Sequence, residues 1–238
     1  MKCLFTEIAG VYDRMNHVFS LGCDLVWRRK AAARVKGTPL RILDLACGTG
    51  DMTLALAGRF PAAEILGADL TPAMLAIAQR KNASARIAFA EANAQDLSTL
   101  RIVSAAGDES GSSAGFVPAS FDLVSCAFGF RNFPDKAAAL GEASRAVAPG
   151  GQLLVLEFFR PSSRLLGGFT ALWLRLLTFL FVRARSANYG YLRASMKATL
   201  SVEEFIVLAA AQGFRLTERR FFLPCCTCLL FEAEGTRG

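Results

Sequence analysis

The sequence predicts an α/β fold built on one doubly wound, mostly parallel β-sheet. Short apolar runs at residues 41–45, 64–69 and 121–127 alternate with segments in which apolar residues recur every three or four positions. A glycine-containing turn joins the first of these runs directly to a helical pattern. Such alternation is typical of parallel strands covered by helices on both faces.

Length and composition indicate a single domain over residues 1–238. The chain has 238 residues, of which 53% are hydrophobic and 19 are Phe, so it can form a large core. A largely disordered chain is therefore excluded. The formal net charge is +7, but Lys and Arg are scattered apart from residues 28–30. We expect no nucleic-acid partner, and an anionic lipid surface fits this charge better.

The cysteines indicate a reducing compartment. There are seven of them at irregular spacing, which does not suggest a disulfide framework. Cys225 and Cys228 form a C-x-x-C pattern without a second pair, and the one histidine, His17, is far away in sequence, so no metal site is expected. The first residues carry no apolar leader. These features predict a cytoplasmic protein.

The glycine turn is the predicted centre of the site. The apolar run of residues 42–46 ends at Gly48, Thr49 and Gly50, and the helical pattern follows at once. Glycine can adopt positive φ and allows a ligand to approach the backbone closely. The start of the following helix leaves backbone N–H groups without helical partners. The turn is therefore a candidate ligand cradle.

Asp69 and Asp44 indicate which ligand the turn would bind. Asp69 ends the next apolar run, 19 residues after Gly50, where an acid typically contacts ribose hydroxyls. Thr53 stands in place of the third glycine of the dinucleotide pattern. Asp44 would repel a pyrophosphate but suits a cation. These residues favour S-adenosylmethionine over NAD, and an NAD dehydrogenase remains the weaker alternative.

Four stretches resemble the UbiE/MenG group of ubiquinone/menaquinone-biosynthesis C-methyltransferases, which belong to the class I S-adenosylmethionine-dependent methyltransferases. They are residues 12–22, 44–51, 128–132 and 149–158. The resemblance extends over about residues 5–215. It implies a Rossmann-like, mostly parallel seven-stranded sheet with an antiparallel C-terminal strand and an N-terminal helical cap over residues 1–37, here called the cap.

The resemblance and the strand ends together imply the cofactor contacts. Asp69 is expected at the ribose, and Asp44 with the Gly48 and Gly50 backbone at the methionyl end. The other predicted contacts are Thr49, Leu70, Met74, Asn93, Ala94 and Ala127. The family has a serine at the position of Ala127, so Ser125 or the backbone would have to supply that contact here.

The resemblance implies methyl transfer to a ring carbon of a polyprenylated quinol. The ring carbon becomes nucleophilic when a neighbouring hydroxyl loses its proton, so a base is needed, directly or through a water. Arg131 is predicted to stabilise the developing phenolate, and Tyr12 and Asn132 complete the predicted catalytic residues. Asp13 and His17 stay open as bases. The alternative for Arg131 is a structural pair with a carboxylate at a helix end.

Two segments depart from a compact sheet pattern. Residues 98–118 are Gly/Ser-rich in their middle and predict an inserted flexible loop. Residues 162–200 predict an apolar helical insertion on the substrate side, since residues 165–182 are strongly apolar. Arg175 near the centre of that run argues against a membrane span and favours a lipophilic tunnel or a peripheral membrane contact. After it, Ser201 and Glu204 predict a capped helix, and residues 215–220 and 223–232 predict two antiparallel strands.

Several alternatives stay open. The acceptor could be demethylmenaquinol, a ubiquinone precursor, both, or another small aromatic molecule. A non-catalytic cofactor-binding protein is the alternative from a different class. The sequence also leaves open whether the protein is a homodimer and whether it contacts the cytoplasmic face of a membrane.

Overall fold

The computed structural model describes residues 20–102, 117–160, 199–222 and 226–234, and in the cap also residues 6, 9, 10, 12, 13, 16 and 17. Most of the predicted loop, residues 103–116, lies outside the described residues. So does most of the predicted apolar insertion, at residues 161–198.

The described residues form one eight-stranded sheet with helices on both sides. The strands are β1 (Arg41–Leu45), β2 (Glu64–Asp69), β3 (Ile87–Asn93), β4 (Asp96–Ile102), β5 (Phe121–Ala127), β6 (Val147–Glu157), β7 (Phe214–Phe222) and β8 (Cys226–Ala233). The helices are α1 (Cys23–Ala32), α2 (Asp51–Arg59), α3 (Pro72–Lys81), α4 (Lys136–Ala146) and α5 (Val202–Ala210), with a 3₁₀ turn at Phe130–Asn132.

The strand order is β4-β3-β2-β1-β5-β6-β8-β7. The five strands from β3 to β6 in this order pair in parallel, whereas β4, β8 and β7 pair antiparallel with their neighbours. The predicted fold class is therefore confirmed, including the antiparallel strands at the C-terminal end. The chain enters the sheet at β1, continues to β2 and β3 on one side, and then crosses to β5 on the other.

Strand β4 adds one strand to the predicted seven. It takes up residues 98–102, which the sequence had suggested as the beginning of the inserted loop. Its pairing with β3 buries Leu97 and Leu100, whose relative exposures are 0% and 6%. This strand was not predicted because its few apolar residues are followed by a Ser- and Gly-rich stretch, which suggested a loop.

The central strand β1 separates two apolar layers because successive side chains of a strand point to opposite faces. Leu43 and Leu45 pack in the layer that contains Phe205 of α5. Ile42 packs on the other face, with Trp27 of α1 and residues of α2 and α3. The sheet is thus covered on both sides, as a parallel sheet requires.

Two of the described helices, α4 and α5, begin with a side-chain cap. Ser201 and Glu204 form the predicted capping box at the start of α5. Asp135 accepts a hydrogen bond from the Ala138 N–H at the start of α4. Thr71 precedes α3 as predicted, but its side chain makes no cap hydrogen bond. The backbone N–H of Thr71 instead donates to Asp69.

Asp24 fixes the first part of the cap to α1, the helix that ends the cap. The chain turns at Leu21 and Gly22, both at positive φ. The buried Asp24 carboxylate accepts from Ser20 Oγ at 2.6 Å, contacts His17 Nδ1 at 3.0 Å, and pairs with Arg28 at 2.8 Å. Burial opposes ionisation, but these partners outweigh it and lower the pKa of Asp24 below its ordinary value. Within the part of the chain that the structure describes, no helix combines the length and apolar character needed to cross a membrane.

Candidate functional site

A cleft lies at the carboxyl ends of β1, β2, β3 and β5, beside the point where the chain crosses the sheet. This is where open α/β sheets bind ligands. Nine of the residues predicted for the site line it: Tyr12, Gly48, Asp69, Leu70, Met74, Asn93, Ala94, Ala127 and Asn132. The other four, which are Asp44, Thr49, Gly50 and Arg131, are not among its described lining residues.

The glycine turn has the backbone geometry that its sequence predicts. Gly48 and Gly50 have φ values of 56° and 86°. A Cβ atom on Gly48 would have no neighbour within 4 Å, so the space beside this residue is open. A Cβ on Gly50 would lie 3.1 Å from the Cβ of Ala78 on α3. Gly50 therefore allows α3 to pack against the turn, while Gly48 keeps the backbone accessible.

Asp69 connects the turn to the start of α3. One carboxylate oxygen accepts the Gly48 N–H at 2.9 Å and the other accepts the Thr71 N–H at 2.8 Å. Burial raises the pKa of Asp69, and the backbone hydrogen bonds from Thr71 and Gly48 oppose that rise. A carboxylate has about four acceptor positions. Asp69 also lines the cleft, so its carboxylate is within reach of hydroxyl groups on a ligand bound there.

Asp44 lies under the turn, fully buried. Its two oxygens accept hydrogen bonds from Thr53 Oγ1 and Ser125 Oγ, each at 2.6 Å. Burial raises the pKa of Asp44 to about 6, although the Ser125 and Thr53 hydrogen bonds act in the opposite direction. A direct contact with a ligand would require one of these bonds to rearrange.

The contacts of Thr53 and Ser125 with Asp44 were not predicted. Ser125 was considered only as a substitute for the serine missing at Ala127, but it is fully buried and its hydroxyl donates to Asp44. Thr53 occupies the place of the third glycine in the dinucleotide pattern, and its hydroxyl stabilises Asp44. Ser125 lies opposite Asp44 in the parallel pairing of β1 with β5. The position of Thr53 could be recognised from the glycine pattern, whereas the contact of Ser125 depends on the register of β1 and β5.

Arg131 forms a buried ion pair with Glu157 at the end of β6. Arg131 Nη1 lies 2.7 Å from Glu157 Oε1, and the two side chains are 8% and 1% exposed. The Arg131 backbone N–H donates to Oε2 at 3.1 Å, and the Phe158 N–H donates to Oε1 at 2.8 Å. The guanidinium carbon lies 5.7 Å from the Phe128 ring centre and 5.5 Å from that of Phe158.

The sequence analysis left open that Arg131 forms a structural pair with a carboxylate at a helix end. Arg131 does pair with a carboxylate, but Glu157 ends a strand, and Glu157 was not predicted as a site residue. Glu157 is the single charged residue in the run 152–159, and a charge in a buried strand signals a partner or a functional role. The structure thus places Arg131 behind Phe128, which itself lines the cleft.

The floor of the cleft forms where the loops after β1 and β5 meet. Phe128 has a φ of 61°. A Cβ atom on Gly129 would lie 2.6 Å from Cys126 Sγ and 2.9 Å from the Ala46 Cβ. Only glycine permits this approach of the two loops. The close packing fixes the position of Asn132, whose Nδ2 donates to the Phe128 carbonyl at 3.4 Å.

Asp13 of the cap reaches the glycine turn. It accepts a short hydrogen bond from Thr49 Oγ1, so the predicted cofactor residue Thr49 contacts the cap. Lys81 Nζ lies 2.6 Å from Asp13 Oδ2 and 2.7 Å from Asp51 Oδ1. Neither Lys81 nor Asp51 was predicted as a site residue, because the three groups come from separate elements. The neighbouring Tyr12 lines the cleft.

The open base candidate His17 takes part in a group of metal-ligand type with Asp24 and Asp51, whose ligand atoms lie within 4.8 Å of one another. Arg28 pairs with Asp24, and Lys81 pairs with Asp51. These cations already neutralise the two carboxylates. The group therefore fits an ion-pair network that fixes the cap better than a metal site.

The sequence is similar to known proteins over almost its whole length. A model of the ubiE/COQ5 methyltransferase family matches residues 1–224. A demethylmenaquinone methyltransferase from Thermus thermophilus is 43% identical, covering 89% of this chain and 91% of the relative. One from Deinococcus radiodurans is 38% identical, covering 91% and 85%. A ubiquinone/menaquinone biosynthesis C-methyltransferase UbiE from Geobacter sulfurreducens is 32% identical, covering 92% and 82%.

Solved structures share the fold at low sequence identity. An S-adenosylmethionine-dependent methyltransferase from Thermotoga maritima matches with a TM-score of 0.66 at 16% identity, covering 98% of this chain and 100% of that one. Another from Aquifex aeolicus matches with a TM-score of 0.62 at 12% identity, covering 89% and 92%. At these identities the similarity concerns the fold alone.

Proposed function

The chain belongs to the ubiE/COQ5 methyltransferase family, and on this basis we propose that it transfers a methyl group from S-adenosylmethionine to a ring carbon of a polyprenylated quinol. Demethylmenaquinol, which would become menaquinol, is the first acceptor to consider, and a ubiquinone precursor is the second. One observation carries the proposal: Asp69, Tyr12 and Asn132 line the same cleft although they come from different parts of the chain. An NAD dehydrogenase and a non-catalytic protein do not fit this family.

The cofactor side of the cleft fits S-adenosylmethionine chemically. The Asp69 carboxylate lines the cleft, and as a hydrogen-bond acceptor it suits the two ribose hydroxyls. Leu70 lines the cleft with 42% of its surface exposed, and Met74 and Ala94 add apolar surface that suits an adenine ring. Asn93 supplies a polar edge to the same part of the cleft.

The methionyl side would use the turn and the charge beneath it. Gly48 presents backbone without a side chain, next to open space. Ionised Asp44 under the turn favours a cationic ligand even without contact, because the intervening protein screens charge less than water does. When bound, S-adenosylmethionine supplies an electrophilic methyl group on a sulfonium. This chain supplies the alignment of that group with the acceptor, which lowers the entropic part of the barrier.

On the acceptor side, Tyr12 and Asn132 both line the cleft, and in this proposal they orient a quinol hydroxyl or the water that takes its proton. Loss of that proton raises the electron density of the neighbouring ring carbon, which is the nucleophile. After it gains the methyl group, this carbon loses its own hydrogen as a proton, and the ring becomes aromatic again. The Arg131 guanidinium lies behind the Phe128 ring and favours the phenolate electrostatically. Glu157 holds this guanidinium in place and reduces its net charge, so its effect depends on orientation more than on full positive charge.

Peripheral contact with the cytoplasmic face of a membrane, in an otherwise cytoplasmic protein, is part of this proposal. A polyprenylated acceptor resides in lipid, the chain carries a net charge of +7, and residues 165–182 are apolar in sequence. Anionic lipid surfaces attract basic proteins at short range. Assembly as a homodimer is also proposed, and sedimentation of the purified protein would test it.

Quinone profiles of a complemented strain test the function. In a bacterial host that lacks its own C-methyltransferase, we expect expression of this chain to convert accumulated demethylmenaquinone to menaquinone, measured by mass spectrometry. Conversion of the ubiquinone precursor in the same cells would identify the second acceptor. The Asp69→Ala variant serves as the matched control. Expressed, folded protein that leaves both precursors unchanged would contradict the proposal.

A further inference from the structure

Lys81 joins three separate elements at the edge of the cleft. Its ammonium group lies 2.6 Å from Asp13 in the cap and 2.7 Å from Asp51, the first residue of α2. Lys81 itself is the last residue of α3. We call Asp13, Asp51 and Lys81 the cap cluster. Without the ammonium between them, the carboxylates of Asp13 and Asp51 would repel each other, so Lys81 helps to hold the cap against α2.

Asp13 connects the cap cluster to the cleft in two ways, through its hydrogen bond with Thr49 and through its chain neighbour Tyr12. One oxygen of Asp13 pairs with Lys81 while the other accepts from Thr49 Oγ1 in the glycine turn. Thr49 is buried, with 3% exposure, so this hydrogen bond fixes the cap to a rigid part of the molecule. Tyr12 is adjacent to Asp13 in the chain and lines the cleft. A shift of Asp13 would therefore move Tyr12.

Contacts that do not involve Lys81 also hold this segment of the cap. His17 contacts Asp24 of α1 at 3.0 Å, and the His17 carbonyl accepts the Gly22 N–H at 2.7 Å. The side chains of Lys81 and Asp13 are 28% and 25% exposed. Ion pairs at such partly exposed positions contribute little to global stability. Loss of Lys81 should then release the cap next to the cleft without unfolding the domain.

We propose that Lys81 is a positioning residue that holds Tyr12 over the cleft by pairing with Asp13. This inference rests on the proposed methyl transfer at the same site but not on the identity of the acceptor. Lys81 acts through Asp13 and is not expected to touch the cofactor or the quinol.

Hydrogen exchange measured by mass spectrometry tests this positioning without any turnover. In the Lys81→Met variant we expect faster amide exchange in a peptide spanning residues 6–20, both with and without S-adenosylmethionine, and unchanged exchange in β1 and β5. The Arg80→Met variant is the matched control, because Arg80 is an exposed residue of the same helix. The proposal would be overturned if this peptide exchanged at the same rate in the Lys81→Met variant as in the wild type.

Kinetics separate positioning from a general structural role. The Lys81→Met variant should lose about tenfold in kcat/KM for the acceptor, while its calorimetric affinity for S-adenosylmethionine changes by less than about threefold, because Asp69 is untouched. Lys81→Arg should recover part of that loss. Asp13→Asn should have a similar effect, and combining it with Lys81→Met should add little, since interacting residues are not additive. Fully additive losses would refute the pairing.

The two kinds of failure are distinguishable. If the wild-type protein binds S-adenosylmethionine but methylates no quinol, the proposed acceptor is wrong, and the exchange experiment still decides the role of Lys81. If the wild type methylates the quinol and Lys81→Met equals Arg80→Met in exchange and kinetics, the inference about Lys81 is wrong.

Discussion

Arg131 and Glu157 form a buried ion pair between the loop after β5 and the end of β6, with Nη1 2.7 Å from Oε1. Glu157 also accepts the backbone N–H groups of Arg131 and Phe158. The carboxylate therefore fixes both the guanidinium and the backbone of the loop that carries Phe128 and Asn132 to the cleft. Removal of Arg131 has two effects, since it deletes a cation and leaves a buried carboxylate without that cation.

The Arg131→Ala variant should be both less stable and much less active. Breaking a buried pair by removing one partner costs about 3–5 kcal/mol, which urea denaturation can measure. The Arg131→Ala/Glu157→Gln double variant should be less destabilised than Arg131→Ala, because it leaves no buried charge behind and the amide oxygen can still accept a backbone N–H. Turnover of both variants with the quinol should fall well below wild type. Near-normal turnover in folded Arg131→Ala protein would contradict the predicted role of this residue.

Asp69→Ala should weaken the binding of S-adenosylmethionine. Hydrogen bonds to a charged group contribute about 1.5–3 kcal/mol each, so loss of one corresponds to about ten- to hundredfold in affinity. Isothermal titration calorimetry measures this directly. Asp69→Asn keeps one oxygen acceptor, so its affinity for S-adenosylmethionine should lie between those of the wild type and Asp69→Ala. An unchanged affinity in Asp69→Ala would refute the assignment of Asp69 to the ribose.

Asp44 should make the stability depend on pH. Its pKa of about 6 in the folded protein exceeds the ordinary value of 3.8, so the folded state binds this proton more tightly than the unfolded state does. Its contribution to stability is thus fully present below about pH 4 and is lost as the pH rises to about 6. The free energy of unfolding of Asp44→Asn should then change less between pH 4 and 6 than that of wild type. Equal pH slopes would contradict the raised pKa.

Gly50→Ala should destabilise the protein more than Gly48→Ala does. Both residues have positive φ, which costs about 1–2 kcal/mol for a residue with a Cβ. Gly50→Ala additionally forces a Cβ to 3.1 Å from Ala78, whereas the space at Gly48 is open. Thermal unfolding of the two variants compares these costs. Equal melting temperatures would show that the packing against α3 adds nothing.

Short-range patterns were predictable from the sequence. The glycine turn, Asp69 at its strand end and the capping box of Ser201 and Glu204 each depend on a few neighbouring residues. The structure places Asp69 beside the turn because the two strands are parallel neighbours. Local chemistry and the alternation of strands and helices therefore sufficed for the fold class and for the location of the cleft.

The unpredicted parts depend on contacts between distant residues. Ser125 meets Asp44 only through the register of β1 and β5. Lys81 meets Asp13 only through the packing of α3 and the cap, which are far apart in the chain. Strand β4 went unrecognised because its few apolar residues precede a polar, Gly-rich stretch. The domain boundaries and the individual site roles stay predictions until variants are measured.

The most direct test of the central claim is transfer of a labelled methyl group by purified protein. S-adenosylmethionine carrying a trideuteromethyl group is mixed with the protein and demethylmenaquinol, and the product is examined by mass spectrometry and NMR. We predict menaquinol with the deuterated methyl on a ring carbon. Unlabelled acceptor, or label on a hydroxyl oxygen in place of carbon, would contradict the account.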